Sequence, residues 1–328
     1  MGMQVTITPQ LPSPAMKIAE SLAEIRQWKI LLWDPQHNLD YPTNSQFLIG
    51  FPRAKLENTF FEYSKSLLHI QLLSRDWSAV DLAAAKAVGV TVSTIGDAHV
   101  DAVAEHTLAL LLAASHRLRW QHRQVQEGRW LNLKSWQAPP PQPESLAPCV
   151  RSLIGGTLGI VGLGSIGRRV AELVRGLSMQ VLYTQRHRLD SSDEDALGVQ
   201  WADLDTLLVR SDAVTLHARL TKGEPALIGY DQIKCMKRTA VLVNTSRGNL
   251  VDEVALADAI MEGRLAGVGL DTLTEEPPEP ESALLKMDDV LITPHTAWMG
   301  DQCWERVFVQ AFENLDQILE GNNPQWQV

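Results

Sequence analysis

Gly162-Leu163-Gly164-Ser165-Ile166-Gly167 lies in the middle of the chain, and its setting decides the fold. A short apolar run, 158–161, precedes it, and a stretch that reads as a helix, 168–177, follows. Strand, tight glycine turn and helix N-terminus in that order form the geometry that binds a dinucleotide pyrophosphate. The glycines permit the turn and the close approach of backbone, and the helix end supplies N–H groups and a partial positive charge. The pattern alone is common, and its plain alternative is an ordinary strand-to-helix turn. About 150 residues precede it, enough for another folding unit.

Outward from the motif, short apolar runs recur at 180–184, 213–217, 240–244, 267–270 and 290–293, a rhythm that suits βαβ units. Before it, 29–34, 46–50, 68–74 and 90–94 read as buried parallel strands, and 103–126 as one long helix. The fold class expected is α/β, with two doubly wound parallel-sheet domains: a Rossmann cofactor domain and a flavodoxin-like substrate domain, with a cleft between them. The last helix places Trp304, Val307, Phe308, Ala311, Phe312, Leu315, Ile318 and Leu319 on one face. The glycine-rich domain is complete before it, so this helix is expected to dock on the first domain. The division is then 1–102 with 296–328 for the substrate domain and 103–295 for the dinucleotide-binding domain. The proline-rich stretch 138–148 reads as an irregular surface arm, with a proline-recognition ligand as the alternative.

Bulk properties narrow the function. With 328 residues, 45% hydrophobic and 21% charged, the chain has the composition of a globular protein of about two domains. A net charge of −10 argues against nucleic acid or an anionic membrane as partner, so any anionic ligand needs locally placed cations. Cys149, Cys235 and Cys303 are odd in number and lack metal-type spacing, which fits a reducing cytoplasm and no metal site. The longest apolar run, 108–114, is far below the ~20 residues that span a bilayer. The start of the chain does not read as a signal peptide, and its loose acylation pattern, Gly2 to Thr6, is weak.

Three polar residues stand at or just beyond the carboxyl ends of expected strands: Arg247 after 240–244, Glu276 after 267–270 and His295 after 290–293. In an open α/β sheet the ligand crevice lies outside those ends. A guanidinium clamps a carboxylate bidentately, an imidazolium donates a proton to a carbonyl, and a neighbouring carboxylate orients the imidazole and favours its charged form. Each has a plainer alternative: a surface ion pair, a solvated acidic turn, a core histidine.

In these blocks the chain resembles the D-isomer-specific 2-hydroxyacid dehydrogenases. The resemblance spans nearly the whole sequence and is carried by Ala104-Glu105-His106-Thr107-Leu108-Ala109-Leu110, the glycine motif, Met236-Lys237 and Asn244-Thr245-Ser246-Arg247-Gly248. It continues through Val251-Asp252-Glu253, Gly269-Leu270-Asp271, Glu276-Pro277 and Thr293-Pro294-His295. The segment His295-Thr296-Ala297-Trp298 is similar to the glycerate dehydrogenase and hydroxypyruvate/glyoxylate reductase branch. The resemblance implies that Arg247 binds the substrate, His295 is the acid/base, Glu276 is its partner, and Asp271 lies near the nicotinamide carboxamide. Gly162, Gly164, Ser165, Ile166, Gly167, Gln185, Arg186, His217 and Thr245 are the other expected cofactor contacts, and Trp298 an expected substrate contact.

The second strand of a NAD site ends on an acidic residue that holds the ribose 2′-OH. Here that position is Gln185, followed by Arg186, His187 and Arg188, so NADP is expected to be preferred over NAD, unless the cations are only a solvated loop. Arg75-Asp76-Trp77 stands where the family carries a glycine loop, so Arg75 and Asp76 are candidate substrate contacts or outward-facing residues. Ser93 and Arg219 replace a frequent asparagine and the usual proline. Trp120, Trp130 and Trp136 surround the proline-rich arm, a region that in the family helps form a two-fold homodimer. The expected activity is hydride transfer between a nicotinamide cofactor and a small 2-keto or D-2-hydroxy acid. The alternatives are oxidation of another small anion such as phosphite, or a dinucleotide-sensing, corepressor-like binding module.

Overall fold

The computed structural model describes residues 3–8, 11–34, 41–52, 54–128, 150–221 and 223–328. They divide into two compact units, Met1–His99 with Met299–Val328, and Val100–Trp298.

The first unit is built on a five-stranded sheet of β1 (Gln4–Ile7), β2 (Lys29–Leu32), β3 (Phe47–Gly50), β4 (His69–Leu72) and β5 (Thr91–Ser93), in the order β2-β1-β3-β4-β5. Every pairing is parallel. β3 and β4 are buried at all positions, as near-continuous apolar strands require. β1 is an interior strand that periodicity did not reveal. It alternates polar and apolar residues, and its buried Thr6 hydroxyl is satisfied by Ser45 Oγ at 2.6 Å. Thr6 of the acylation-like pattern is therefore a core strand residue, while Gly2 lies outside the described residues.

The terminal helix, α12 (Asp301–Leu319), packs on α1 (Ser13–Ile25) of this unit. Its apolar face is buried from Trp304 to Leu315, and Ile318 and Leu319 lie at its partly exposed end. The Trp28 ring stacks between Phe47 and Phe312 at 5.6 and 5.8 Å. Arg26 clamps Asp316 with bonds of 2.6–3.0 Å while its guanidinium stands 5.3 Å from the Phe312 ring. The tail returns alongside β5, with Val328 N–H donating to Val92 O and Thr94 N–H to Trp326 O.

In the second unit β6 (Thr157–Val161), β7 (Gln180–Thr184), β8 (Val199–Trp201), β9 (Ala213–Leu216), β10 (Val241–Asn244), β11 (Gly267–Leu270) and β12 (Val290–Ile292) form one parallel sheet. The order β12-β11-β10-β9-β6-β7-β8 runs outward both ways from β6 and β9, which makes the gap between those two the topological switch point. Alternate side chains feed two cores. Val161, Leu182, Leu216, Leu242 and Leu270 face one, and Ile160, Tyr183, Ala213 and Val243 the other.

The long helix expected over 103–126 is two helices, α4 (Val100–Ser115) and α5 (Leu118–Gln126). They break at Arg117, which is left-handed at φ 49°. Neither glycine nor proline marks the break. Side-chain anchoring holds it: Arg117 pairs with Asp289 at 2.6 Å and covers the Trp120 ring at 5.1 Å. Arg119 donates to the carbonyls of Leu285 and Met287 at 3.1 and 3.2 Å, and Arg123 pairs with Asp288. The basic end of the expected helix is thus fastened to the segment before β12. Trp130, Trp136, Cys149 and the proline-rich stretch 138–148 lie outside the described residues.

His69 in β4 is fully buried, with Nδ1 2.8 Å from Thr91 Oγ1 and Nε2 without a hydrogen-bond partner among the described residues, and burial lowers its pKa to about 4. The unfolded chain takes up a proton here near pH 6.5 that the folded chain refuses. Stability from this site is therefore complete above pH 6.5 and falls with pH toward 4, by at most about 1.4 kcal/mol per pH unit. His69→Gln is expected to flatten the decline of urea stability between pH 7 and pH 5. An unchanged decline would show that His69 does not set it.

Candidate active site

The three motif glycines are needed for three different reasons. Gly162 is left-handed at φ +95°, and a Cβ there would stand 2.7 Å from Ala218 N, in the turn after β9. A Cβ on Gly167 would stand 2.4 Å from Gly162 O, so helix α6 (Ser165–Val174) packs directly on its own entry turn. Gly164, the extended N-cap of α6, faces open space. That space suits a pyrophosphate approached by backbone, with Ser165, Ile166 and Gly167 supplying first-turn N–H groups. Beside the turn lies a cavity of about 840 Å³ whose walls include Gly162, Gln185, Arg186, Ala218, Arg219 and Leu227. It sits at the switch point, and its size and the open Gly164 fit an adenine dinucleotide.

Gln185 ties this end together. Its Oε1 accepts from Leu163 N at 3.2 Å and its Nε2 donates to His187 O at 2.6 Å. Arg186 reaches over the cavity rim, 72% exposed, with Nη2 3.5 Å from Glu224 Oε2. Glu224 also accepts from Thr221 N at 2.7 Å, so an anion is fixed opposite the arginine. Nothing in the local sequence marks Glu224, because only the fold brings the loop after β9 to the end of β7. Arg188 does not face the cavity. It chelates Glu194 at 2.8–2.9 Å beside Tyr183 and covers Trp201, which is structural work. His217 precedes the cavity-lining Ala218, its N–H donating to Val161 O at 2.8 Å. Its imidazole Nε2 is buried without a partner, and burial lowers the pKa to about 4, so the ring is neutral at pH 7.

Arg247, Glu276 and His295 stand on the loops after β10, β11 and β12, three adjacent strands. The Asn244 side chain shapes the first loop, donating to Arg247 O at 2.8 Å and accepting from Ser246 N at 3.0 Å. Thr245 is buried, its hydroxyl 2.8 Å from Thr107 Oγ1. Arg247 is exposed, and one of its guanidinium nitrogens donates to Ser246 O at 2.7 Å. A Cβ on Gly248 would stand 2.0–2.2 Å from the Leu273 carbonyl and Thr274 N, so the second loop lies in the space a side chain would need. That loop presents Glu276, whose Oε1 accepts from Leu273 N at 3.0 Å and whose Oε2 lies 2.7 Å from His295 Nδ1. A carboxylate only accepts, so Nδ1 carries the proton between them and Nε2 is directed elsewhere.

Asp271 is held by the protein's own donors. It is buried, with Oδ1 accepting from Thr293 Oγ1 at 2.6 Å and Thr296 N at 2.9 Å, and Oδ2 from Ala297 N at 2.9 Å. Its place is beneath the His295 turn, where His295 is left-handed at φ 54°. Trp298 closes the turn, its indole N–H donating to His295 O at 3.1 Å. Arg75 and Asp76 belong to the first unit. Arg75 donates to Gly96 O at 2.8 Å and pairs with Asp97, while Asp76 is exposed and caps its own turn through Ser78 N at 2.9 Å.

Residues 108–297 match the family model described as D-isomer specific 2-hydroxyacid dehydrogenase, NAD binding domain. A glyoxylate reductase of Korarchaeum cryptofilum is 32% identical over 326 residues, covering 99% of this chain and 95% of that protein. A glycerate dehydrogenase of Methylorubrum extorquens is 34% identical over 249 residues, covering 74% and 73%. Among solved structures, the TT0316 protein of Thermus thermophilus superposes with a TM-score of 0.83 at 32% identity, covering 99% of this chain and all of the other.

The interlock at Gly248 is testable. Gly248→Ala must push the Leu273–Thr274 backbone aside and carry Glu276 with it. Misplacement of about 1 Å costs on the order of 100-fold in turnover, so a loss of that size is expected with circular dichroism unchanged. Wild-type turnover in this variant would refute the interlock.

Proposed function

The chain belongs to the D-isomer-specific 2-hydroxyacid dehydrogenases, NAD(P)-dependent oxidoreductases, and we propose that it is an NADP(H)-preferring reductase of a small 2-keto acid of the glyoxylate or hydroxypyruvate class. The observation that carries the reading is the 2.7 Å contact of Glu276 with His295 on a loop that Gly248 draws against the Arg247 turn. A bound nicotinamide supplies or accepts the hydride at the substrate C2. Arg247 holds the substrate carboxylate through its planar fork. His295 Nε2 gives a proton to the carbonyl oxygen in reduction and takes one from the hydroxyl in oxidation. Glu276 keeps the ring in one tautomer and orientation through its contact with Nδ1.

The cofactor preference rests on the β7 end. Neutral Gln185 does not repel a 2′-phosphate, and Arg186 stands at the rim to meet it. Glu224 opposes that phosphate, so the preference is moderated rather than strict. Exposed Leu118 and Val125 on α5 support a homodimer through this face, and the free thiols of Cys235 and Cys303 fit a cytoplasmic setting.

His295→Gln is expected to lower kcat on the order of 100-fold or more while cofactor affinity is unchanged; full turnover would overturn the mechanism. In a panel of 2-keto acids read with both cofactors, NADPH is expected to give the higher kcat/KM. Arg186→Ala should lose NADPH efficiency selectively and Glu224→Gln should gain it. A clear NADH preference in the unmodified enzyme would reject the cofactor reading.

A further inference from the structure

Resting on the reading of His295 as the acid/base, we propose that His106 on α4 is a positioning residue for the reaction, acting on His295 through Thr293 and Asp271. His106 Nε2 lies 2.9 Å from Thr293 Oγ1 and 3.6 Å from Asp271 Oδ1. The Thr293 hydroxyl has one proton, and it goes to Asp271 Oδ1 at 2.6 Å, because a carboxylate accepts only. Thr293 Oγ1 must therefore accept from His106, so His106 Nε2 carries a hydrogen. The chain of donation runs in one direction, from His106 to Thr293 to Asp271.

What hangs on the Asp271 end is the turn that carries the acid/base. The amides of Thr296 and Ala297, the two residues after His295, both donate to this carboxylate at 2.9 Å. The His295 N–H donates to the Asp271 backbone carbonyl, also at 2.9 Å. His295 itself is left-handed, a conformation that is unfavourable for a non-glycine residue and persists only where its surroundings hold it. Asp271 is 2% exposed, so water does not replace a donor lost from this network. Without His106 the Thr293 hydroxyl is free to rotate off Asp271 Oδ1, and the tie on the turn loosens. His106 reaches neither Glu276 nor the His295 ring in this network, which separates its role from that of Glu276.

The test is a double-mutant cycle on the full-length enzyme, with His106→Ala and His295→Gln made singly and together. His106→Ala is expected to lower kcat about tenfold, with KM for the keto acid within a factor of about two. His106→Gln, which keeps an N–H donor, is expected to recover most of that loss. In the His295→Gln background, His106→Ala is expected to cost nothing further, because the group it positions is gone. Thr293→Val cuts the same link with little change in volume and serves if His106→Ala fails to fold. An equal loss with and without His295, or no loss in either variant, would overturn the proposal. Full turnover in His295→Gln alone would instead overturn the acid/base assignment, so the two failures are distinguishable. A second readout needs no turnover. The His295 ring resonances in isotope-labelled protein are expected to shift in His106→Ala and to return in His106→Gln, and identical spectra in all three would overturn it as well.

Discussion

The backbone of Leu273 and Thr274 occupies the space in which any side chain at position 248 would have to stand. Much of the geometry of the second unit's site depends on that exclusion. Parallel strands place all their carboxyl ends along one edge of a sheet, but they leave the loops beyond those ends free to diverge. Here the loop after β11 is drawn flat against the turn after β10. The same loop then turns Glu276 onto the ring of His295, which comes from the next strand over. Two of the three loops are locked together by a single contact of backbone on backbone. Such a contact has no flexible end that can yield, which is why glycine is required there and not merely tolerated.

At the other end of the sheet the determinant is charge. The chain carries a net charge of −10, yet its cavity at the switch point borders an exposed arginine beside the glycine turn that leads into α6. Glu224 stands against that arginine. An exposed pair at 3.5 Å contributes little to stability. Its effect is on the potential that a second anion would meet. Two of the three consecutive basic residues after Gln185 border the cavity, while Arg188 is consumed by Glu194, to which Tyr183 also donates. A run of cations in sequence is therefore not a run of cations in a site.

Much of this was legible in the residues themselves. The glycine motif, the apolar strands and the last amphipathic helix are signals that lie within a few residues of one another, and the structure carries them, except that β2, expected to be buried, is an edge strand exposed at Lys29 and Leu32. What escaped had no local signature. β1 alternates polar and apolar residues because its buried Thr6 is satisfied by Ser45, 39 residues away. β8 is three residues long and half exposed. The break between α4 and α5 falls on Arg117, which is held by Asp289 and not by a residue that disfavours helix. Glu224 meets Arg186 only after β9 has been placed beside β6. In each case the deciding partner is distant in sequence.

Asp271 shows the same separation of identity from role. Its position in Gly269-Leu270-Asp271 resembles a family residue near the cofactor, and its type suits a polar contact. In the structure three donors of the protein, two backbone amides and a hydroxyl, take up its carboxylate. A buried carboxylate with that many internal donors is part of the frame, because each bond lost from it would leave a donor unsatisfied in a dry interior. The turn that carries His295 is held on this carboxylate by the amides of the two residues that follow it.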